Sequence, residues 1–347
     1  MRAIVALLAL VCLGELVVAR HDSSLLEWAQ YKRQYGKVYG TPEEDRHRFT
    51  LFLASKERIR QHNANERASY KLGLNALSDW APDELATMRA GGRQNSTIGS
   101  LINCRRPEAA NDDDGSDAFL ETLLNDPAPI PVEIDWRKVP NRVTPVKDRK
   151  FKTCFYGDYL FAITGVLEGQ QVVRNFTKEL VPLSEQQIID CALHSTGCDS
   201  RGPSGIGAFH DVTRIGGIMS EKDYPFITKR DYCRFDMRKA TMKLAGCQEV
   251  TGDENLRKLV ARFGPVFVGH GYIGNFIDYK SGIFDDPTCS VEVYYYGLVI
   301  GYGHDPKVGD YWILKNSLSS SWGEDGYYRI KRGLCGIGKV LTIIPTF

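Results

Sequence analysis

The cysteines constrain this chain more than any other feature. The sequence holds nine, and one of them, Cys12, lies in an N-terminal stretch built like a secretory leader. Arg2 gives it a positive start, Ala3 to Leu13 an apolar core, and Val17-Val18-Ala19 small residues before a cleavage point. Its apolar run is far shorter than the ~20 residues a membrane span needs. No later segment is long and apolar enough to cross a bilayer. Removing residues 1–19 takes one cysteine from the nine and leaves eight, an even set suited to an oxidising compartment. No CxxC pair or Cys/His cluster with zinc spacing occurs, so disulfides are expected, and neither a metal nor another cofactor. The sequons Asn95-Ser96-Thr97 and Asn175-Phe176-Thr177 are consistent with passage through the secretory pathway. A formal net charge of +1 gives no electrostatic case for binding nucleic acid or an anionic membrane.

Downstream of the leader, residues 22–63 are polar and helical in period. Trp28, Tyr31 and Tyr35 recur at steps of three and four, which puts them on one helix face. Thr41-Pro42-Glu43-Glu44 reads as a helix start, with Thr41 as the cap and Pro42 in the first turn. The helix that follows carries Glu44, Arg48, Phe52, Ser55, Ile59 and Asn63. Gly73, Asn75, Leu77 and Asp79 come after it. Glu44 and Arg48 are spaced for an ordinary surface salt bridge, but the two motifs in this order resemble the prosegment of cathepsin L-like proteases. Ser55 stands in place of an asparagine and Leu77 in place of a phenylalanine of that pattern. This assigns residues 20–90 to a propeptide inhibitor domain.

Residues 91–129 change character. Gly91-Gly92, Gly99 and the acidic run Asn111-Asp112-Asp113-Asp114-Gly115 are turn-prone and are expected to form a linker without a core of its own. Low-complexity sequence is confined to this stretch, and no internal repeat is present. The body is expected to start near Ile130-Pro131. Val132-Glu133-Ile134-Asp135-Trp136-Arg137, Thr144-Pro145-Val146-Lys147, Leu183-Ser184-Glu185-Gln186, Asp190-Cys191, Gly264-Pro265-Val266, Tyr279-Lys280-Ser281-Gly282-Ile283 and Trp322-Gly323-Glu324-Asp325-Gly326-Tyr327 follow in order. Together they resemble the landmarks of the papain-like cysteine proteases. The fold this implies for residues 130–347 is α+β, with a helical lobe, a β-barrel lobe and a cleft between them. Tyr311-Trp312-Ile313-Leu314 and Tyr327-Tyr328-Arg329-Ile330 read as strands beside glycine turns.

The same resemblance locates an active centre whose chemistry has been replaced. Asp158-Tyr159-Leu160-Phe161-Ala162, with Glu168-Gly169 ten residues further on, is similar to the start of the family's central helix. Asp158 falls on the nucleophilic cysteine. Tyr295, six residues before Gly301-Tyr302-Gly303, falls on the catalytic histidine, and Asn316 on the asparagine that orients the ring. The oxyanion glutamine falls on Arg149 or Lys152, depending on the direction of counting, because an insertion precedes the helix. In the substrate-binding loop Gly197-Cys198-Asp199-Ser200-Arg201-Gly202-Pro203, bulky Arg201 stands where glycine is usual, with Gly202 after it. Leu318 replaces a covering tryptophan.

Amide hydrolysis in this family needs a thiolate beside an imidazole. A carboxylate is a poor nucleophile toward an amide, and a tyrosine hydroxyl, with an ordinary pKa near 10, is a poor proton shuttle. Cys154 as a relocated nucleophile, an aspartic-protease pair, and His194, His210, His270 or His304 as a relocated base remain the alternatives. A disulfide for Cys154 and ordinary core or surface positions for the histidines are the plainer readings.

The resemblance also implies disulfides Cys154–Cys198, Cys191–Cys233 and Cys289–Cys335. Cys104 and Cys247 are left over and are expected to pair, tethering the prosegment; two free thiols or bonds to other chains are the plainer alternative. Two functions stay open at this point. One is a catalytically inactive homologue, secreted or lysosomal/endosomal, that binds a ligand in a vestigial cleft or serves as decoy, scaffold or store. Its own prosegment and a separate processing protease would be its partners. The other is a cysteine-type endopeptidase with weak or rearranged activity.

Overall fold

The structure is a computed structural model and describes residues 23–84, 116–150, 153–154, 156–193, 197–198, 205–271, 276–293 and 295–347. Helix α1 spans 23–34 and α2 spans Pro42–Asn63. Thr41 caps α2 by accepting from the Glu44 N–H at 3.1 Å. Acidic residues fill the first turn and Arg60 and His62 the last, matching the helix dipole. Trp28, Tyr31 and Phe52 are buried together where α1 crosses α2. Asn63 then clamps both backbone groups of Leu72, donating to its carbonyl at 2.8 Å and accepting from its N–H at 3.0 Å. Leu72 ends strand β1 (Tyr70–Leu72). Arg48 makes its main contact with Glu84, at 2.5 and 2.8 Å, rather than with Glu44 at 3.8 Å.

The expected structureless linker contains a helix. Helix α3 (Ser116–Asn125) packs Phe119, Leu120, Leu123 and Leu124 onto the main core. Those four positions form a helical stripe that the neighbouring acidic run conceals in the sequence.

The body is built from β2 (Ile134–Asp135), α4 (Asp158–Glu168), α5 (Glu185–Cys191), α6 (Gly205–Ile215), β3 (Ile218–Met219), β4 (Ala240–Met242), β5 (Gly246–Glu249), α7 (Asp253–Arg262), β6 (Val266–His270), β7 (Tyr279–Phe284), β8 (Tyr295–Asp305), β9 (Gly309–Lys315), β10 (Tyr327–Lys331) and β11 (Leu341–Thr346). It is α+β, with α4, α5 and α6 forming a helical side against a large sheet. The expected closed barrel is not found among the described residues. The sheet runs β1-β7-β10-β9-β8-β6-β11-β5, with β2 attached to β8. Closure requires the end strands to pair with each other, and here the prosegment strand β1 takes the edge of β7.

Two glycines let the layers approach. A Cβ on Gly165 would lie 2.6 Å from Leu298 Cδ2, so α4 rests on β8 only because that position is bare. A Cβ on Gly301 would lie 2.2 Å from the Ile134 carbonyl, so the bare position lets this part of β8 accept β2.

Disulfides join Cys154 to Cys198, Cys191 to Cys233 and Cys289 to Cys335. Cys247 is also disulfide-bonded, and Cys104 lies outside the described residues. So do Asn95, Lys152, His194, Arg201 and Gly202. Asn175 is exposed in a turn at φ 58°, accessible as a sequon asparagine should be.

Candidate active centre

Helix α4 starts where the chain enters the interface between helices and sheet, and Asp158 is its first residue. The cap position belongs to Gly157, which has no side chain to cap with, and Asp158 follows it as the first helical residue. Its carboxylate Oδ2 instead accepts from the Tyr296 backbone N–H at 2.7 Å, a bond from α4 to β8. Asp158 is only 8% exposed. Burial pushes its carboxyl up to about 6, against the opposing pull of Arg149 and of the Tyr296 N–H. The helix N-terminus favours the carboxylate, but desolvation outweighs it here.

Arg149, one of the two candidates for the oxyanion position, is brought to this carboxylate. Its Nη1 lies 3.9 Å from Asp158 Oδ1. The guanidinium also sits 5.4 Å from the centre of the Tyr295 ring. The Arg149 backbone N–H donates to the Ser317 carbonyl at 3.0 Å, which fixes the approach to the site beside Asn316.

Tyr295 and Asn316 meet. The Tyr295 hydroxyl donates to Asn316 Oδ1 at 2.6 Å, and the same oxygen accepts from the Ser317 N–H at 2.7 Å. Burial pushes the Tyr295 phenol up to about 12, so it holds its proton across the physiological range. His270 is paired opposite Tyr295 in the β6–β8 ladder, with ring centres 5.3 Å apart. Both its nitrogens are engaged, Nδ1 with the Gly271 carbonyl at 2.8 Å and Nε2 with the Tyr328 hydroxyl at 2.9 Å. Burial pushes it down to about 4, so it is neutral. His270 is therefore a satisfied core residue. His304 is exposed and pairs with Asp310 at 2.7 Å, and His210 lies on α6. Cys154 is held by Cys198 and offers no thiolate. Among the described residues there is no group of His, Cys, Asp or Glu able to hold a metal ion.

A buried charge cluster that sequence reasoning missed lies next to this set. Lys147 reaches Glu168 at 2.9 Å and Glu185 at 2.8 Å, and Lys315 donates to the Thr144 hydroxyl at 2.8 Å. Burial opposes the charge on Lys147, but the two carboxylates override it and hold the ammonium above its usual range. Lys315 is pushed down to about 8 by burial. Charged residues inside apolar stretches, Glu168 in α4 above all, were the available signal. The cavity between this cluster and Asp158 measures about 10 Å³, room for one water and not for a peptide bond. A larger space of about 550 Å³ lies where the prosegment covers the body, lined in part by Leu77, Trp80, Phe226, Leu318 and Trp322. Leu318 and the prosegment's Trp80 both pack there against the small cluster of Leu77 and Ile277.

The profile of the papain family cysteine proteases matches residues 130–344, and that of the cathepsin propeptide inhibitor domain matches residues 28–85. The chain belongs to the papain family. It is 34% identical to a cathepsin L of Sarcophaga peregrina over 96% of each chain. Its fold is similar to that of digestive procathepsin L2 from the Tenebrio molitor larval midgut, with a TM-score of 0.80, 29% identity and coverage of 93% of this chain and 100% of the other. Procathepsin L 3 from the same source gives a TM-score of 0.76 at 30% identity, covering 93% and 99%.

The papain-family chain thus has the architecture of a cathepsin L-type proenzyme. Its prosegment is docked on the body through the β1–β7 pairing, through Arg58 to Asp278 at 2.6 Å, and through Asn75 donating to the Ile277 carbonyl at 2.7 Å.

Proposed function

We propose that this papain-family proenzyme does not hydrolyse peptides and acts by binding, as a decoy, scaffold or store, within the secretory pathway or outside the cell. The observation that carries the reading is the engagement of Asp158, Tyr295 and Asn316 with one another's surroundings. The carboxylate is held by Tyr296 and faces Arg149, and the phenol is bonded to the asparagine. A thiolate attacks an amide because it is polarisable and ionised beside an imidazolium. The Asp158 carboxyl is far less polarisable than sulfur and has Tyr295 rather than an imidazolium at the histidine position, and its attack would produce a high-energy anhydride. Arg149 fills the space beside it with a cation that has its own counter-charge.

The leader, the disulfides and the exposed Asn175 sequon support an extracellular or lysosomal/endosomal glycoprotein. Removal of the prosegment then falls to another protease. We further propose that Cys247 is bonded to Cys104, so that the prosegment stays attached after a downstream cut.

The test uses purified full-length protein and its processed form with fluorogenic peptides, beside labelling by a thiol-directed covalent inhibitor. No turnover and no labelling are expected. Turnover that disappears in Asp158→Ala would overturn the reading. So would trimming of the pure protein by itself at acidic pH.

A further inference from the structure

Helix α3 is held by the body. Phe119 meets Phe263 edge to face, with centroids 6.4 Å apart. The Arg174 guanidinium lies over the rings of Phe119, Phe263 and Phe347 at 4.9, 5.7 and 4.5 Å. A helix leaves its last carbonyls without internal partners, and here α7 supplies them. Lys258 Nζ donates to the Leu124 carbonyl at 2.9 Å and Arg262 Nη1 to the Leu123 carbonyl at 2.7 Å. Arg262 Nη2 continues past the helix, donating to Asp126 O at 2.8 Å and Ala128 O at 2.6 Å. The Tyr302 hydroxyl then donates to the Pro131 carbonyl at 2.8 Å. The chain is thus pinned repeatedly from Leu123 to Pro131, by side chains that all come from the papain-like body.

We infer that this segment belongs to the processed protein: the cut that separates the prosegment falls before Ser116, and Ser116–Pro131 stays on the body as a permanent strap and extra helix. A processing protease binds its substrate extended, so what protects a bond is the burial and hydrogen bonding of the backbone around it. Cutting at the expected start near Ile130 requires stripping the Arg262 and Tyr302 bonds and lifting Phe119 off Phe263. A cut upstream of α3 requires none of this. The cut itself is ordinary hydrolysis, with water adding across the scissile amide under a separate protease. The strap also packs on Phe263, an aromatic surface that loss of α3 after a cut at Ile130 would uncover. This argument rests on packing and holds whether or not the chain has activity of its own.

The experiment treats full-length, disulfide-intact protein with a broad-specificity serine protease under native conditions. After reduction, the new N-termini are read by mass spectrometry. The surviving body fragment is expected to begin before Ser116. A main fragment beginning at Asn125 or later would overturn the inference. The paired variant Phe119→Ser with Arg262→Gln is expected to be cut between residues 118 and 131 roughly tenfold faster than wild type, because local opening becomes easier. An unchanged cutting rate in that interval would equally overturn it.

Discussion

Replacing Arg149 by methionine tests whether Asp158 is held in its buried site by an ion pair. Arg149 is 1% exposed and Asp158 8%, with 3.9 Å between Nη1 and Oδ1. Removing one member of a buried pair leaves the other charge uncompensated and costs about 3–5 kcal/mol. The sign with pH follows from the carboxyl. Its folded pKa of about 6 lies above the ordinary 3.8. The folded state therefore holds a proton that the unfolded state has released across that window. The stabilisation from this site is full below the ordinary value and is lost as pH rises through the folded value. Without Arg149 the folded value climbs further.

At about pH 7.5 the variant is expected to lose ~3 kcal/mol, of which the charge accounts for ~2, because the stranded carboxyl takes up a proton instead and each pH unit above the wild-type folded value costs ~1.4 kcal/mol. At about pH 4 Asp158 is protonated and only the contact over the Tyr295 ring, ~1 kcal/mol, is lost. Urea unfolding followed by tryptophan fluorescence, with disulfides intact, measures both. The other acidic groups titrate in wild type and variant alike and cancel in the difference. The double variant Arg149→Met with Asp158→Leu is expected to return to within about 1 kcal/mol of wild type near neutral pH. Equal losses at both pH values, or a double variant no better than the single one, would refute the pairing.

The neighbouring histidine makes the opposite prediction. His270 is depressed to about 4 by burial, so its contribution is present above the unfolded value near 6.5 and is lost as pH falls. His270→Gln is expected to flatten the fall in stability between these values while costing ~1–3 kcal/mol near neutral pH; an unaltered acid limb in pH-dependent unfolding would count against it. Peptide mapping without reduction is expected to find Cys104 joined to Cys247, and alkylation of either as a free thiol would remove the proposed tether.

Much of this protein is legible from its residues because the signals are local. Thr41 and Pro42 mark a helix start through backbone chemistry that acts within one turn, and the cap forms. Trp28 and Tyr31 share a helix face by periodicity, and they are buried together. The ordered motifs from Glu44 to Asp79 and from Val132 to Tyr327 carry the family assignment, and with it the two-part proenzyme fold.

Local sequence does not contain what distant elements do to a side chain. Asp158 reads as a charged residue at a helix start, where the dipole favours its ionised form. Only the seating of α4 against β8, which leaves little solvent, decides that desolvation prevails over the opposing pull of Arg149 and the Tyr296 N–H. Counting leaves Arg149 and Lys152 as equal candidates, because an insertion shifts the register; that Arg149 reaches the carboxylate is a fact of the fold, and Lys152 lies outside the described residues. The barrel expected by resemblance is an open sheet, because an edge belongs to β1, whose Leu72 pairs with Tyr279, far away in the sequence. The stripe of Phe119, Leu120, Leu123 and Leu124 was present in the sequence beside an acidic run. What it covers, and therefore whether it is linker or body, depends on Arg174, Phe263 and Arg262 arriving from elsewhere. The chain sets the periodicities and caps, and burial, which only tertiary packing creates, sets the charge states and the partners.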